Sequence, residues 1–232
     1  MEKEDNGRLL VIIPAYNEEA SIGGVLCELR RKCPQADVLV VNDGSADGTL
    51  RVCREAGCPV LDLPFNLGLS GAFQAGLRYA AQNGYSYALQ FDADGQHPAD
   101  AIPAMLRAAR ERHVGVVVAS RYLEGQKGWS MREIGSRMIG FCVWLTTGVR
   151  IHDSTSGMRL YTAPVIRRLA RNMNSSPEPH TLACLLNDGV TVAETPAVMR
   201  ERKAGKSYLN ALSSIRYMFQ TCLSILLVNR FQ

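Results

Sequence analysis

The sequence lacks any apolar run long enough to cross a bilayer, and it contains no internal repeat and no low-complexity segment. A membrane-spanning helix needs about 18 or more consecutive apolar residues, so no span is expected among these 232 residues. The first eight residues are polar and do not resemble a secretory signal peptide. We therefore expect a cytoplasmic protein.

The seven cysteines form no C-x-x-C pair, and their number is odd. In the absence of a signal peptide, this predicts reduced thiols, each behaving as a small buried hydrophobe. The net charge of +4 is mild, so it does not suggest nucleic acid as a partner. At 232 residues, with 47% hydrophobic and 21% charged residues, the chain can form one large domain with a sizeable core.

Apolar runs of strand length alternate with helical patterns along most of the chain. Such βαβ alternation predicts an α/β fold with a mostly parallel sheet flanked by helices. We expect strands at 9–13, 37–42, 60–63, 87–94, 114–119 and 190–196, another strand after the polar turn that begins at residue 152, and helices between them. A polar loop is expected at 172–179.

Polar clusters follow five of the predicted strands. Ligands of such sheets bind beyond the carboxyl ends of the strands, so clusters that share this edge indicate a binding site. The clusters are Pro14–Glu18, Asp43–Ser45, Asn66–Gly68, Asp92–Gln96 and Arg121.

Asp92 and Asp94 come at the end of the fourth predicted strand, two residues apart. Residues i and i+2 of a strand point to one side, so the two carboxylates are expected to converge. Hard oxygen ligands suit Mg²⁺ or Mn²⁺, and Gln96 adds an amide oxygen at the same spacing. A cation held in this way commonly binds a diphosphate. Taken alone, the Asp-x-Asp pattern also fits a solvated turn.

Two segments are more apolar than ordinary surface helices: residues 134–145 and the final helix, 208–228. Each fits either packing on the domain or an amphipathic helix that lies on a membrane or a partner. We divide the chain into a tail at 1–8, a catalytic domain at 9–206 and a C-terminal amphipathic helix at 207–232.

Five motifs follow one another along the chain: Pro14-Ala15-Tyr16-Asn17-Glu18, Asn42-Asp43-Gly44-Ser45, Asp92-Ala93-Asp94-Gly95-Gln96, the Asp153–Arg159 segment, and Arg202 with Gly205-Lys206-Ser207. Together and in this order they resemble the motifs of family 2 glycosyltransferases, and more narrowly those of the branch of dolichol- and polyprenyl-phosphate sugar synthases. The resemblance covers about residues 8–210 and implies a GT-A fold and an inverting transfer from a nucleotide-sugar.

The resemblance also assigns roles to residues. The donor, a UDP- or GDP-sugar, would contact the loops through Pro14, Tyr16, Glu18, Asp43, Gly44, Asn66, Gly68 and Ala93, with Asp43 accepting from the base. The metal, Mn²⁺ or Mg²⁺, would be held by Asp92, Asp94 and Gln96, and Asp94 would be catalytic. Arg121 and Arg202 would contact the diphosphate or an acceptor phosphate, and Lys206 would add a point charge.

The second catalytic candidate is Asp153, placed by its motif. A hydroxyl acceptor would need it as a general base. A polyprenyl phosphate acceptor is already ionised, in which case Asp153 would orient other groups. The third interpretation of Asp153 is a cap of the turn that follows it.

Members of the lipid-phosphate branch often continue into transmembrane helices, whereas this sequence ends at Gln232. We therefore expect a peripheral protein on the cytoplasmic face of the membrane, completion by a separate membrane subunit, or a glycan hydroxyl as the acceptor. The final helix could also pair with its copy in a homodimer. A sugar nucleotidyltransferase and an inactive scaffold protein are the alternatives outside this family.

Overall fold

The computed structural model describes residues 7–123, 131–171, 178–200 and 211–228. Within these ranges, seven strands and eight α-helices follow one another, and a single 3₁₀ turn at Ala99–Ala101 precedes the fourth helix. In chain order they are β1 (Leu9–Ala15), α1 (Glu19–Lys32), β2 (Asp37–Asp43), α2 (Thr49–Glu55), β3 (Val60–Leu63), α3 (Gly68–Gln82), β4 (Tyr87–Gln90), α4 (Ile102–Glu111), β5 (Val116–Ser120), α5 (Met131–Thr147), β6 (Arg159–Thr162), α6 (Ala163–Arg171), α7 (Pro179–Asn187), β7 (Val192–Pro196) and α8 (Ala211–Val228).

All seven strands form one sheet in the order β3-β2-β1-β4-β6-β5-β7. Only β6 is antiparallel, pairing with β4 on one side and β5 on the other, and the remaining pairs are parallel. The prediction of a mostly parallel sheet flanked by helices is confirmed.

Helices cover both faces of the sheet, which explains why its central strands are apolar throughout. Along β1, Val11 and Ile13 enter the core under α1 and α4, while Leu10 and Ile12 enter the core under α3 and α5–α8. Successive side chains of a strand point to opposite faces, so a strand covered on both sides needs an unbroken apolar run.

Helix α3 lies unusually close to β1 because of a glycine. A Cβ atom at Gly76 would lie 2.3 Å from Cγ2 of Ile12, which is fully buried. Only hydrogen fits there, so a glycine at this position allows α3 to pack directly against β1.

Two sequence predictions differ from the structure. Helix α7 begins inside the segment predicted to be a loop. Its signals were Pro179 at a favoured first helical position, Leu182 and Leu185 on one face, and Gly189 with positive φ after its end. The helix predicted to start at Pro98 begins instead with the 3₁₀ turn.

The C-terminal helix packs with one side on α5 and α7. Cys222 and Ile225 are buried there, whereas Phe219 and Leu223 on the same helix are exposed. One side of this helix is therefore buried against the domain, and the other side exposes apolar side chains. The proposed division at residue 207 falls outside the described ranges.

A bidentate ion pair attaches the segment after β7 to α1. Arg200 donates from Nη1 to Oε2 of Glu28 over 2.6 Å and from Nη2 to Oε1 over 2.8 Å. Its backbone N–H donates to the carbonyl oxygen of Gln96 over 2.9 Å. Arg200 thus connects this segment to the turn that contains the predicted metal ligands.

We predict that Gly76→Ala destabilises the protein by about 1–3 kcal/mol, because the added methyl group overpacks the α3–β1 contact. Gly24→Ala is the matched control, since Gly24 lies on α1 with no atom within 4 Å of its Cβ position. That change should stabilise the protein by about 0.5–1 kcal/mol through helix propensity. Urea unfolding measures the change in the free energy of unfolding for both variants. Equal changes for Gly76→Ala and Gly24→Ala would contradict the close contact between α3 and β1.

The ion pair predicts a pH-dependent contribution of Glu28 to stability. The hydrogen bond from Arg200 lowers the pKa of Glu28 from 4.5 to about 2. A depressed pKa stabilises the folded state above the unfolded pKa, and this stabilisation is lost as the pH falls from about 4.5 through about 2. Glu28→Gln should therefore cost about 1 kcal/mol at pH 7 and progressively less below pH 4.5.

The control for this measurement is Glu55→Gln, which removes an exposed pair with Arg51. The effect of Glu55→Gln on the free energy of unfolding in urea should be near zero both at pH 7 and below pH 4.5. A cost of Glu28→Gln that stayed constant down to pH 2 would contradict the linkage.

Candidate functional site

The loops after β1 and β2 are attached to each other by reciprocal hydrogen bonds. The N–H of Asn17 donates to Oγ of Ser45 over 3.0 Å, and the N–H of Ala46 donates to Oδ1 of Asn17 over 2.9 Å. Asn17 adopts a φ of 54°, which is uncommon outside glycine. Tyr16 and Glu18, two predicted nucleoside contacts, flank this fixed residue.

The loops after β2 and β3 are also in direct contact. Oδ1 of Asp43 accepts from the N–H of Leu67 over 2.7 Å, and a Cβ at Gly44 would lie 2.8 Å from the nitrogen of Asn66. Oδ1 of Asn66 in turn accepts from the N–H of Gly68 over 3.0 Å. Asp43 is only 3% exposed and holds the neighbouring loop, a role that the sequence did not predict.

The predicted placement of Asp92 and Asp94 on a strand is wrong, because β4 ends at Gln90. Pairing with β1 ends there, and the N–H of Asp92 donates to Nδ1 of His97 over 2.9 Å instead of to a neighbouring strand. The two carboxylates therefore lie on a turn beyond β4, so strand alternation does not place them.

The turn at Asp92–Gln96 is shaped by local contacts. Gly95 has a φ of 79°, and Oδ1 of Asp94 accepts from the N–H of Gln96 over 3.0 Å. Nε2 of the buried His97 lies 3.3 Å from Oδ2 of Asp92. His97 therefore orients Asp92 through contacts with both its backbone N–H and its carboxylate. The only sequence signal for this role was a histidine directly after the acidic cluster.

The Asp153–Gly157 segment packs against this turn. A Cβ at Gly157 would lie 3.7 Å from Oδ2 of Asp92 and 3.7 Å from Nε2 of Gln90. The structure therefore brings together two motifs about 60 residues apart in sequence.

Arg121 and Asp153 form the strongest polar contact of the site. The Asp153 carboxylate accepts from Nε of Arg121 over 2.7 Å, from its Nη2 over 2.8 Å and from its backbone N–H over 3.0 Å. Burial lowers the pKa of Arg121, but the hydrogen bonds that Arg121 donates to Asp153 outweigh this effect, and the pKa is raised. Asp153 is 0% exposed.

A chain of hydroxyl groups extends this pair to α5. Oγ1 of Thr155 accepts from Nη2 of Arg121 over 2.9 Å and lies 3.0 Å from Oγ of Ser136. Ser136 lines an open groove of about 970 Å³. The groove combines basic and polar side chains with an apolar wall: Arg137, Arg150, His152, Glu133, Tyr122, Leu123, Phe141, Trp144 and Ile151, with Gly140.

Two charged residues that the sequence did not assign to the site hold the turn at 152–156. Glu194 on β7 accepts from the N–H groups of His152 and Asp153. The buried Arg159 donates from Nη2 to the carbonyl oxygen of Ser154 over 2.7 Å and from Nε to that of Ser156 over 2.9 Å. An acidic residue inside an apolar strand was the available signal for Glu194.

An exposed apolar face extends over α5 and α8, which pack against each other. Within the described ranges, none of the helices combines the length and hydropathy needed to cross a membrane. The exposed side chains on this face are Ile134, Met138, Phe141, Trp144 and Leu145 of α5 and Phe219, Leu223, Leu226 and Leu227 of α8.

The described part of the chain contains no group of three or more His, Cys, Asp and Glu side chains arranged to hold a metal. Asp92, Asp94 and Gln96 offer two carboxylates and one amide. That donor set fits a cation such as Mg²⁺, which proteins often bind through one or two carboxylates, the remaining ligands being substrate phosphates and water. Ala93 is buried between them, and Pro14 is the second-to-last residue of β1, at the same edge. Arg202 and Lys206 lie outside the described residues.

Sequence comparisons identify relatives over most of the chain. The family model "Glycosyl transferase family 2" matches residues 10–170. A "Polyprenol monophosphomannose synthase" from Mycolicibacterium smegmatis is 30% identical over 92% of this chain and 85% of the relative. An "Undecaprenyl-phosphate mannosyltransferase" from Micrococcus luteus is 32% identical over 88% of each chain.

Structural comparison confirms the GT-A fold. Glucosyl-3-phosphoglycerate synthase from Mycobacterium tuberculosis superposes with a TM-score of 0.68 over 97% of this chain and 81% of that chain, at 16% identity. The same enzyme, solved with Mn²⁺, UDP and phosphoglyceric acid, gives a TM-score of 0.67 at 15% identity. At such identity the likeness establishes the fold alone. The family match and the two curated relatives carry the assignment: this chain is a glycosyltransferase and belongs to glycosyl transferase family 2.

Proposed function

We propose that the protein transfers a sugar from a UDP- or GDP-sugar to a polyprenyl phosphate at a membrane surface, in cell-envelope glycan synthesis. The observation that carries this proposal is the groove beside α5, where basic side chains meet an apolar wall. An anionic head group joined to an apolar tail matches both parts of that lining. The names of the two relatives refer to acceptors of this class.

The donor binds, in this proposal, where the first three loops meet. Their mutual hydrogen bonds hold Tyr16, Asp43 and Asn66 around one place at the carboxyl edge of the sheet. Glu18, Gly44 and Gly68 complete the same surface. Solved structures of a neighbour with this fold contain UDP, which supports a nucleoside site there.

Asp92, Asp94 and Gln96 would hold Mn²⁺ or Mg²⁺, which would neutralise the departing nucleoside diphosphate. The contacts of His97 and Gly95 orient this turn before any ligand binds. A neighbour of the same fold was solved with Mn²⁺ and with Mg²⁺, which supports a divalent cation. Arg202 and Lys206 remain proposed contacts of the phosphates.

Inverting transfer requires attack in line with the departing group. The acceptor oxygen forms a bond to the anomeric carbon while the bond from that carbon to the diphosphate breaks, and the diphosphate leaves with the electron pair. A phosphate acceptor is ionised at neutral pH and needs no base. The geometry of Asp153 agrees with this, since both of its oxygens accept hydrogen bonds from Arg121. In this proposal Asp153 acts by orienting Arg121, which would contact the phosphate of the acceptor.

The exposed apolar face of α5 and α8 would bring this groove to the lipid. Aromatic side chains such as Trp144, Phe141 and Phe219 are exposed on that face, and amphipathic helices with this character insert into the headgroup region. Arg137 and Arg150 beside the groove would add attraction to anionic lipids. In this proposal the protein is peripheral on the cytoplasmic face, alone or with a membrane subunit.

The proposal predicts nucleoside diphosphate release from one UDP- or GDP-sugar, with Mn²⁺ or Mg²⁺ present, that undecaprenyl phosphate stimulates. Asp94→Asn should reduce this release by about 100-fold or more, because the metal loses a carboxylate. The control is Glu55→Gln, at an exposed carboxylate on α2 that is not a proposed ligand contact, and this change should leave the rate unchanged.

Other outcomes of this assay are equally informative. Release without lipid stimulation would indicate a glycan hydroxyl as the acceptor. Asp153→Asn would then test whether Asp153 is the general base that such an acceptor needs. No release from any donor, together with no metal-dependent binding of nucleotide, would contradict the enzyme and favour a scaffold. Pyrophosphate formation from a nucleoside triphosphate would identify a nucleotidyltransferase.

Membrane docking predicts that the protein floats with liposomes containing anionic phospholipid. Phe219→Asp, at a side chain 68% exposed on α8, should reduce the floated fraction about fivefold or more, since a charge replaces an inserted aromatic ring. Val198→Asp is the matched control, because Val198 is 65% exposed but its sequence neighbours pack into the core on the opposite face of the sheet. An equal loss for both variants would contradict docking through α8.

A further inference from the structure

Glu194 is a buried carboxylate whose hydrogen bonds all go to one turn. Its side chain is 7% exposed. Oε2 accepts from the backbone N–H and from Nδ1 of His152, each over 2.8 Å, and Oε1 accepts from the N–H of Asp153 over 2.9 Å. A buried carboxylate is costly unless hydrogen-bonded, so this geometry requires the turn to stay in place.

The turn is fixed at its other end by a charge of the opposite sign. The guanidinium of Arg159 binds the carbonyl oxygens of Ser154 and Ser156. Glu194 therefore holds the N–H groups at the start of the turn, and Arg159 holds the carbonyl groups that follow. Hydrogen bonds to charged groups are about twice as strong as those between neutral groups, and together they restrict this backbone in both directions.

The residue fixed between these charges is Asp153. Its N–H is bound by Glu194 while its carboxylate receives the fork of Arg121. A small shift of the backbone at Asp153 would move both carboxylate oxygens and with them the guanidinium. The path from β7 to the acceptor side therefore consists of two consecutive carboxylate contacts.

We infer that Glu194 is a positioning residue that fixes Arg121 through the 152–153 turn, and thereby prepares the site for the phosphate of the acceptor. The second part of this inference rests on the proposed function. The first part concerns only this chain and can be tested without any substrate.

The direct test is Glu194→Gln, which replaces one acceptor oxygen by an amide that faces N–H donors. Hydrogen exchange measured by NMR should accelerate about tenfold or more at the amides of His152 and Asp153, since each loses a charge-assisted hydrogen bond. The Nε–H of Arg121, assigned by its loss in Arg121→Lys, should also exchange faster. His152→Ala is the matched variant, because it removes the ring but keeps both backbone hydrogen bonds, so exchange should change little.

The kinetic test uses the wild-type reaction with undecaprenyl phosphate. Glu194→Gln should raise KM for the lipid phosphate about tenfold, while the dissociation constant of the nucleotide changes less than twofold. If Glu194 contributed only to stability, the substitution would not weaken binding of the lipid phosphate more than binding of the nucleotide. Glu194→Gln and Arg121→Lys should be non-additive in kcat/KM, whereas Glu55→Gln and Arg121→Lys should be additive.

Several results would overturn the inference. Unchanged exchange at His152, Asp153 and Arg121 in Glu194→Gln would refute the positioning role. If Glu194→Gln weakened binding of the nucleotide and of the lipid phosphate equally, the inference that Glu194 acts only on the acceptor side would be refuted. If Glu194→Gln does not fold, Glu194→Asp, which is one methylene shorter, should show the same changes. A wild-type protein without lipid-stimulated release would contradict the proposed function, whereas the exchange data would still decide whether Glu194 fixes Arg121.

Discussion

The bidentate contact between Arg121 and Asp153 is the interaction on which the proposed acceptor side depends. It joins the end of β5 to the turn before β6, and Thr155 extends it to Ser136 on α5. A buried carboxylate without a guanidinium, or the reverse, would leave a charge uncompensated at a cost of several kcal/mol. Any change that separates these two groups therefore disturbs the strand end, the turn and the helix that lines the groove together.

The donor side is built on a different principle. There the loops after β1, β2 and β3 are connected through backbone N–H groups and short side chains, and glycine at position 44 allows two loops to touch directly. Such contacts fix the shape of the surface without using pairs of charged side chains. The charged groups of this edge therefore stay available for the proposed phosphate contacts: the carboxylates would hold the cation, and Arg121 would contact the acceptor.

The sequence predicted the elements that have a local signal. Apolar runs such as that of β1 identified buried strands because both faces of the sheet are covered. Motif positions predicted that Asp92 and Arg121 lie at the same edge, because polar residues at strand ends collect there. The end of β4 was misjudged because it depends on where partner strands stop pairing, and on a hydrogen bond from Asp92 to His97. Glu194 was missed because its role depends on a contact with His152, 42 residues earlier in the chain.

Sheet topology explains why these distant motifs meet. In a parallel sheet, only carboxyl ends of strands reach the binding edge, and the segments that precede strands lie at the opposite edge. Strand β6 is the exception, because it runs antiparallel between β4 and β5, with Leu160 opposite Leu89 and Val117. Its amino end therefore lies beside their carboxyl ends. This reversal places the turn with Asp153 between Asp92 after β4 and Arg121 after β5, and β7 beyond β5 brings Glu194 within reach of the same turn. Strand β6 thus brings the turn with Asp153 to the edge of the sheet where the loops after β4 and β5 lie.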